Sequence, residues 1–200
     1  MKNSKLSKTS VIYDNVILGD NVIIEDNCII GLPVPGLSEP TVIGDNAYIR
    51  AGTYIYAGNT IGKNFQTGNK VNIRESNVIG DNVSIGTLSA IEHHISIGRN
   101  VRIHSQVFIP EFTILNDGCW LGPNVVITNA KYPLCPDSKK TLQGVVVNSG
   151  AKIGANSTIL PGVEVGKNSL IGAGSVVTKD ISFGMIAYGN PAIEVKKNHY

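Results

Sequence analysis

The sequence predicts an all-β protein, a parallel β-helix of triangular cross-section with about eight coils and a short C-terminal tail. Aliphatic residues recur every six positions, a second small or β-branched residue follows four positions later, and Asn or Gly usually stands between them. No helix has a period of six. Two inward positions in six residues instead describe a short strand followed by a corner, repeated around a prism.

We call the aliphatic residues that recur every six positions the anchors of the repeat. They run in steps of six over Ile12–Ile30, then Ile43–Ile127, then Val147–Val177, and Thr67 is the only anchor in the middle run that is not Ile or Leu. These runs contain 25 anchors, which at three per coil give about eight coils of 18 residues. The second inward positions include Val22, Ala47, Val71, Val83, Val101, Val107, Cys119, Val125, Ser157, Val163 and Ser175.

The corners follow three residues after each anchor, and 16 of the 25 corner positions are Asn or Gly. These residues tolerate positive φ, so the corners are predicted to use the left-handed conformation. The exceptions are Pro33, Lys70, Ser76, Leu88, His94, Gln106, Phe112, Ala130 and Asp180. Six of these nine lie between residues 70 and 112, and because local rules are typically broken where function demands it, this block is the predicted active face.

The repeat spans the chain as one predicted domain, residues 1–200, with two interruptions. A small corner loop containing three prolines is expected at 31–42, and a longer loop extruded from the prism at 128–146. Solenoids commonly place function on such loops. A tail at 182–200 follows, and any α-helix is expected only in about the last fifteen residues.

Composition excludes several classes of protein. The 17 Lys and Arg residues against 15 Asp and Glu give a net charge of +2 without a basic cluster, which argues against a nucleic-acid partner. No run of 18 apolar residues occurs, so neither a membrane span nor a signal peptide is expected. The three cysteines have no CxxC spacing and do not form an even set, which favours a reducing, cytoplasmic location over a disulfide framework.

Several runs resemble the hexapeptide-repeat acyltransferases: IGAN at 153–156, LPGV at 160–163, IGAGSVVTKD at 171–180 and GNPA at 189–192. The resemblance covers nearly the whole chain. It implies a left-handed β-helix, usually trimeric, with acyl-CoA bound between neighbouring subunits. The hand comes from the resemblance alone, since the ordinary crossover rule favours right-handed connections.

Residues 18 apart stack in neighbouring coils, roughly 4.8 Å from each other. One such column contains Glu75, His93, Glu111 and Asn129, and another contains Gly68, Gly86, His104 and Gly122. A solvated surface ladder would give the same stacking. Carboxylates raise the pKa of a neighbouring histidine, so His93 is expected to be protonated, whereas His104 in an open glycine slot is the better neutral proton acceptor.

The segments IHSQ at 103–106, FIPE at 108–111 and LGPNVVITN at 121–129 are most similar to acyltransferases that act on amino groups of nucleotide-linked sugars. This similarity implies an acceptor site in which His104, His93 and Glu111 are catalytic and Asn129, Glu75 and Tyr132 bind the substrate. An acidic residue commonly follows the Thr-Asn pair in those enzymes, where this chain has Ala130. Galactoside and maltose O-acetyltransferases carry a histidine before the loop proline, where this chain has Tyr132, which weakens an O-acetylation template.

The co-substrate implied by the resemblance is acetyl-CoA, with no metal required. Matching to the C-terminal motif places Ala155 and Ala173 beside the pantetheine arm through their backbone amides. Thr178, Lys179 and Lys196 would meet the nucleotide phosphates, where lysine offers a point charge.

Three alternatives remain at this stage: a sugar O-acetyltransferase, a γ-class carbonic anhydrase and a purely structural solenoid. The anhydrase needs three histidines converging on a metal across a subunit boundary, whereas His93, His94 and His104 crowd within twelve residues. A structural solenoid would keep regular corners throughout.

Overall fold

The computed structural model describes residues 2–199 as a parallel β-helix whose short strands form three faces. The first face contains β1 (Lys5–Leu6), β4 (Ile23–Ile24), β7 (Tyr48–Ile49), β10 (Gln66–Thr67), β13 (Ser84–Ile85), β16 (Arg102–Ile103), β19 (Trp120–Leu121), β22 (Lys152–Ile153) and β25 (Leu170–Ile171). The second contains β2 (Val11–Ile12), β5 (Ile29–Leu32), β8 (Tyr54–Tyr56), β11 (Asn72–Ile73), β14 (Ala90–Ile91), β17 (Phe108–Ile109), β20 (Val126–Ile127), β23 (Thr158–Ile159) and β26 (Val176–Val177). The third contains β3 (Val16–Leu18), β6 (Thr41–Ile43), β9 (Thr60–Ile61), β12 (Val78–Ile79), β15 (Ser96–Ile97), β18 (Ile114–Leu115), β21 (Val146–Val147) and β24 (Glu164–Val165).

The predicted anchors account for every strand from β2 to β26, one anchor in each. All of them are buried except Ile12 and Leu18, which lie in the N-terminal coils and are only partly covered. The second inward positions are buried as well, so the predicted core is confirmed. The repeat begins one strand earlier than predicted, at β1. Its 26 strands at three per coil therefore make nearly nine coils rather than eight.

The corners adopt the left-handed conformation more widely than the residue types indicated. Of the 16 Asn and Gly corners, all but Asn15 have positive φ. The six exceptions between residues 70 and 112 also have positive φ, between 55° and 65°. The corner geometry is therefore continuous there, and each of these side chains bears a conformational cost of roughly 1–2 kcal/mol that Gly would avoid.

Leu88 offers a direct measurement of that cost, because its φ is +61° and its side chain is about half exposed. We expect the free energy of unfolding of the Leu88→Asn variant to be about 1 kcal/mol larger than that of the Leu88→Ala variant. Both substitutions remove the leucine side chain, but only Asn tolerates positive φ. Urea unfolding at fixed protein concentration measures the difference. Asn82→Ala, at a regular corner with φ of +58°, should lose stability. Equal values for the two Leu88 variants would contradict the strain.

The three corners differ in character. The third corner, between the third and first faces, carries an asparagine ladder in which Asn46, Asn64, Asn82 and Asn100 hydrogen bond from coil to coil. All six corner exceptions lie on the other two. Lys70, Leu88 and Gln106 stand at the first corner, between the first and second faces; Ser76, His94 and Phe112 stand at the second corner, between the second and third faces. The regular third corner is thus structural, and the first and second corners are the candidates for function.

The C-terminal tail forms two strands instead of a helix. Strand β27 (Met185–Gly189) pairs parallel with β25 and extends the first face, and β28 (Ala192–Lys197) pairs antiparallel with β27. Ile186 and Ala187 are buried against the last coil, which accounts for the extra strand. The hexapeptide period ends before this segment, so the sequence repeat gave no signal for it.

Two loops leave the prism where the repeat is interrupted. One connects β5 to β6, and the other connects β20 to β21 and contains a 3₁₀ turn at Ser138–Lys140. Cys28 and Cys119 are buried and Cys135 is exposed in the second loop; none forms a disulfide. Among residues 2–199, no helix has the length and apolar character needed to cross a bilayer.

Candidate active site

A cluster at the second corner unites most of one predicted column. His93 Nε2 lies 3.5 Å from Glu111 Oε1, and the Asn129 side-chain amide donates to Glu111 Oε2 at 2.7 Å. The His93 and Glu111 side chains are about one quarter exposed, and Asn129 is buried at the root of the loop between β20 and β21. We call His93, Glu111 and Asn129 the second-corner cluster. It presents a carboxylate whose two oxygens already have fixed partners.

His93 has a second close partner in His94. Their Nδ1 atoms are 2.7 Å apart, so one must donate and the other accept, and at least one of the two rings carries no proton on Nδ1. Phe112 packs edge-on to His93 at 6.3 Å between ring centroids. His94 and Phe112 are the strained corner residues of adjacent coils. The left-handed backbone at His94 and Phe112 therefore places both side chains against the imidazole of His93.

Glu75 begins the same column but is held mainly by Arg74. The Arg74 guanidinium donates to both Glu75 carboxylate oxygens at 2.8 and 2.9 Å, and also approaches Glu92 at 3.5 Å. Burial raises the pKa of Glu75, but the hydrogen bonds and charge of Arg74 outweigh it and hold that pKa below its ordinary value. Glu75 is therefore ionised at neutral pH, and its position depends on Arg74, which lies outside the predicted column.

Two buried asparagines fix the backbone beneath the second corner. Asn77 donates to the Arg74 carbonyl at 2.8 Å and accepts from the Ile95 N–H at 2.7 Å, while Asn59 accepts from the Asn77 N–H at 3.0 Å. Neither was predicted from the sequence, although a side-chain amide at an inward position otherwise filled by aliphatic or smaller residues is a detectable signal. Each polar side-chain atom of Asn59 and Asn77 has a hydrogen-bond partner, and buried networks of this kind favour a single backbone conformation.

His104 lies at the first corner, away from the second-corner cluster. Its ring packs on Trp120 at 4.8 Å between centroids, and its Nε2 accepts from Arg102 Nε at 3.3 Å. Burial and the charge of Arg102 lower the pKa of His104 below its ordinary value. The imidazole is thus neutral at pH 7.

Close packing of neighbouring coils is a second reason for the glycines around His104, besides the open space that they leave. A Cβ on Gly86 would approach the His104 carbonyl carbon to 2.4 Å, and one on Gly122 would approach the Ala155 nitrogen to 2.7 Å. Close approach of neighbouring coils therefore requires glycine at both positions. On the side of Gly68 and Gly86 the missing side chains also leave a recess of about 240 Å³ beside His104.

The width of the second face separates His104 from Glu111 in one chain. Six residues, or roughly 20 Å of extended chain, lead from His104 at the first corner to Pro110 at the second. The residues predicted to line one acceptor pocket thus occupy two corners.

Ala155 and Ala173 lie on the same corner as His104. They stack with Ser105 and Pro123, so Ala155 is two coils and Ala173 three coils beyond His104, roughly 10 and 15 Å along the axis. Within residues 2–199 neither N–H donates a hydrogen bond. Two free N–H groups beside small side chains fit the amide-rich pantetheine arm.

The remaining predicted residues lie elsewhere. Thr178 and Lys179 are exposed directly after β26, towards the second corner, and Lys196 is exposed in β28 on the first face. Tyr132 is 69% exposed in the loop between β20 and β21, with Lys131 Nζ over its ring at 5.8 Å. One chain does not gather the five cofactor residues on a single surface.

Two family models match this sequence. The model described as GMPPB C-terminal domain matches residues 37–139, just over half of the chain, and the model described as bacterial transferase hexapeptide (six repeats) matches residues 144–179. The chain belongs to the GMPPB C-terminal domain family. Its later coils, at residues 144–179, match the bacterial transferase hexapeptide repeat.

Proteins similar to this chain differ in their named activities. A galactoside O-acetyltransferase of Lactococcus lactis is 44% identical over 80 residues, which is 38% of this chain and 39% of that protein. The structure of LpxA, a UDP-N-acetylglucosamine acyltransferase from Bacteroides fragilis, is 22% identical with a TM-score of 0.64, over 96% of this chain and 74% of that one. A UDP-N-acetylglucosamine acyltransferase from Campylobacter jejuni is also 22% identical, with a TM-score of 0.49 over 96% and 75% of the two chains.

The likeness to LpxA shows a shared fold, and the predicted left-handed parallel β-helix is confirmed. The match to the Lactococcus lactis protein spans about two fifths of that relative's length. Within residues 2–199, no group of three His, Cys, Asp or Glu side chains is placed to hold a metal ion.

Proposed function

We propose that this hexapeptide-repeat protein is an acyltransferase that moves an acetyl group from acetyl-CoA to the amino group of a nucleotide-linked amino sugar. One observation carries the proposal: the neutral imidazole of His104 shares the first corner with the N–H groups of Ala155 and Ala173, which donate no hydrogen bond within residues 2–199. A proton acceptor and a surface suited to the pantetheine arm thus lie along the same corner of the β-helix.

The residues have distinct roles in this reaction. Acetyl-CoA supplies the acyl group as a thioester, whose carbonyl carbon forms the new C–N bond while its C–S bond breaks. His104 accepts the proton that the amine loses at its Nε2 atom, which requires the hydrogen bond from Arg102 to that atom to open, and the same proton then neutralises the departing thiolate. Glu111, fixed by Asn129, and the nearby His93 and Glu75 hold the sugar, and Tyr132 covers it from the loop.

A homotrimer reconciles these roles with the two corners. If His104 and Glu111 act on one acceptor, they come from neighbouring subunits, with the first corner of one facing the second corner of the next. Exposed apolar side chains support association, since Tyr54, Phe108 and Val126 stand on the second face and Val78 and Ile114 on the third. One subunit would then contribute Ala155 and Ala173 to the acetyl-CoA site, and the neighbouring subunit would contribute Thr178 and Lys179.

Sugar O-acetylation is the second candidate, favoured by the 44% identity with the galactoside O-acetyltransferase over 80 residues. The test is thiol release from acetyl-CoA with a panel of nucleotide-linked amino sugars, and with matched hydroxyl-bearing sugars as the contrasting set. Faster thiol release with the amino sugars supports the proposal. Release only with the hydroxyl-bearing sugars would replace it with O-acetylation, and no release with either set would contradict both.

Lys179→Glu tests the proposed phosphate contact. Lys179 is exposed after β26, and a contact made equally in the ground and transition states affects binding alone. We expect KM for acetyl-CoA to rise about tenfold while kcat at saturation is largely kept. Lys5→Glu, at the opposite end of the β-helix, is the control and should keep the wild-type KM. An unchanged KM in Lys179→Glu would move the CoA site elsewhere.

A further inference from the structure

The recess on the first face lies between two coils that carry large side chains. Tyr48 and Arg50 stand on one side and Arg102 and His104 on the other, three coils or roughly 14 Å apart. The two coils between them present Gln66 and Gly68, then Ser84 and Gly86. These smaller residues leave the volume of about 240 Å³ open to solvent.

The lining of the recess is cationic. Arg50 and Arg102 contribute to it, and no carboxylate does. Among the residues described, Arg102 has no carboxylate within ion-pair distance, and Arg50 reaches only Glu25, at 3.9 Å. Glu25 is itself occupied by the Tyr48 hydroxyl at 2.5 Å and the Ala51 N–H at 3.0 Å. Two guanidinium groups thus face an open space with little charge compensation.

Neutral donors complete the lining. Gln66, Ser84 and Ser105 bring amide and hydroxyl groups to the recess. Trp120 follows Arg102 in strand register and packs on His104, so an aromatic surface borders the recess. Guanidinium groups with amide and hydroxyl donors are the chemistry that binds phosphate oxygens.

We propose that this recess binds the diphosphate of the nucleotide-linked acceptor between Arg50 and Arg102. The inference rests on the proposed function, since it names the part of the acceptor that this surface holds. It predicts that the sugar extends from the recess towards His104.

The direction of the two substrates favours the acceptor over CoA, which also carries a diphosphate. The recess covers the coils on the N-terminal side of His104, whereas Ala155 and Ala173 lie on the coils beyond it. Lys179 lies further still towards the C-terminus. Acceptor and acetyl-CoA therefore approach His104 from opposite directions along one corner.

Calorimetric titration of the intact protein tests the proposal without turnover. The probes are UDP, GDP and dTDP, with CoA and inorganic pyrophosphate as separate arms. Arg102→Gln should raise the Kd of the tightest nucleoside diphosphate about tenfold or more, because it removes a charged hydrogen-bond donor. Ser84→Phe should weaken the same binding by filling the recess while leaving both arginines in place. Arg99→Gln, an exposed arginine at the third corner, is the matched control and should leave Kd unchanged.

Circular dichroism establishes that each variant is folded. Absence of nucleoside diphosphate binding in the wild type would overturn the proposal, as would an unchanged Kd in both Arg102→Gln and Ser84→Phe. Loss of CoA binding in these variants, with nucleoside diphosphate binding kept, would assign the recess to CoA instead. Pyrophosphate binding as tight as that of the nucleotides would show that the recess recognises phosphate alone, and would overturn its assignment to a nucleotide-linked acceptor.

The calorimetric titration and the thiol-release assay test the diphosphate site and the proposed reaction independently. If nucleoside diphosphate binding depends on Arg102 but no amino sugar releases thiol, the diphosphate site stands and the proposed reaction fails. If amino sugars release thiol and Arg102→Gln keeps the acceptor KM, the reaction stands and the diphosphate site fails.

Discussion

His104→Ala should lower kcat on the order of 10²-fold, the usual scale for a positioned base. The imidazole is neutral and shares its corner with the backbone N–H groups of Ala155 and Ala173. Steady-state kinetics with saturating acetyl-CoA and amino sugar measure the effect. Trp120→Phe keeps an aromatic ring beside His104 and is the control for packing. Nearly full kcat in His104→Ala would leave either His93 as the base or an amine that arrives deprotonated.

The pH profile gives a readout specific to His104. A base works in its deprotonated form, so a lowered pKa keeps the enzyme active to lower pH, and activity is lost only as pH falls through that lowered value. Arg102→Gln removes one cause of the lowering and should move the acidic limb of kcat/KM to higher pH. Because both proteins are assayed with the same amine, an unmoved limb would contradict His104 as the titrating group.

The second-corner cluster should behave differently from His104. Glu111→Gln and Asn129→Ala should raise the acceptor KM more than they lower kcat, because these side chains position the sugar.

Mixed oligomers test whether the site is built from two subunits. Co-refolded His104→Ala and Glu111→Gln chains should recover about a quarter of wild-type activity at low acceptor concentration, since a mixed trimer contains one intact pairing of corners. His93→Ala mixed with Glu111→Gln should recover none, because both residues lie on one corner.

Ile97→Asp should prevent folding, because it places a carboxylate inside the prism where Ile97 is 2% exposed and stacks between Ile79 and Leu115. Burying an unpaired charge costs several kcal/mol, which is a large part of the stability of an ordinary domain. Ser96→Asp, the neighbouring outward residue of the same strand, is the matched control and should fold normally. Size-exclusion chromatography and far-UV circular dichroism distinguish the two. Soluble, oligomeric Ile97→Asp protein would mean that the anchors do not face inward.

The local repeat carried the fold prediction because each coil repeats one physical unit. An Ile every six residues must be buried, and the residue three places on must turn, so strand positions and core followed from spacing alone. The C-terminal hairpin was not foreseen, since Ile186 and Ala187 are buried by contact with the last coil rather than by the period. Handedness came from similarity to a family, since a spacing of six is identical in both hands.

The candidate site was predictable only where its residues share a column. The spacing of 18 brought His93, Glu111 and Asn129 together as expected, because parallel coils keep register from one turn to the next. Arg74 was missed because it clamps Glu75 from the adjacent position in sequence. Arg102 and Trp120 were missed because they stand on strands that the repeat describes only by their inward partners.

The sequence by itself determined the coils, the buried anchors and the positions of the two loops, because these depend on spacing and on residue preference at a turn. Only the tertiary structure decided that Lys70, Leu88, His94 and Phe112 keep the left-handed corner, because stacking on neighbouring coils outweighs the preference of a single residue. It also decided that Arg102 and Trp120 contact His104. The reason is geometric: the repeat specifies the inward positions, whereas contacts between outward side chains depend on how those side chains lie across neighbouring strands.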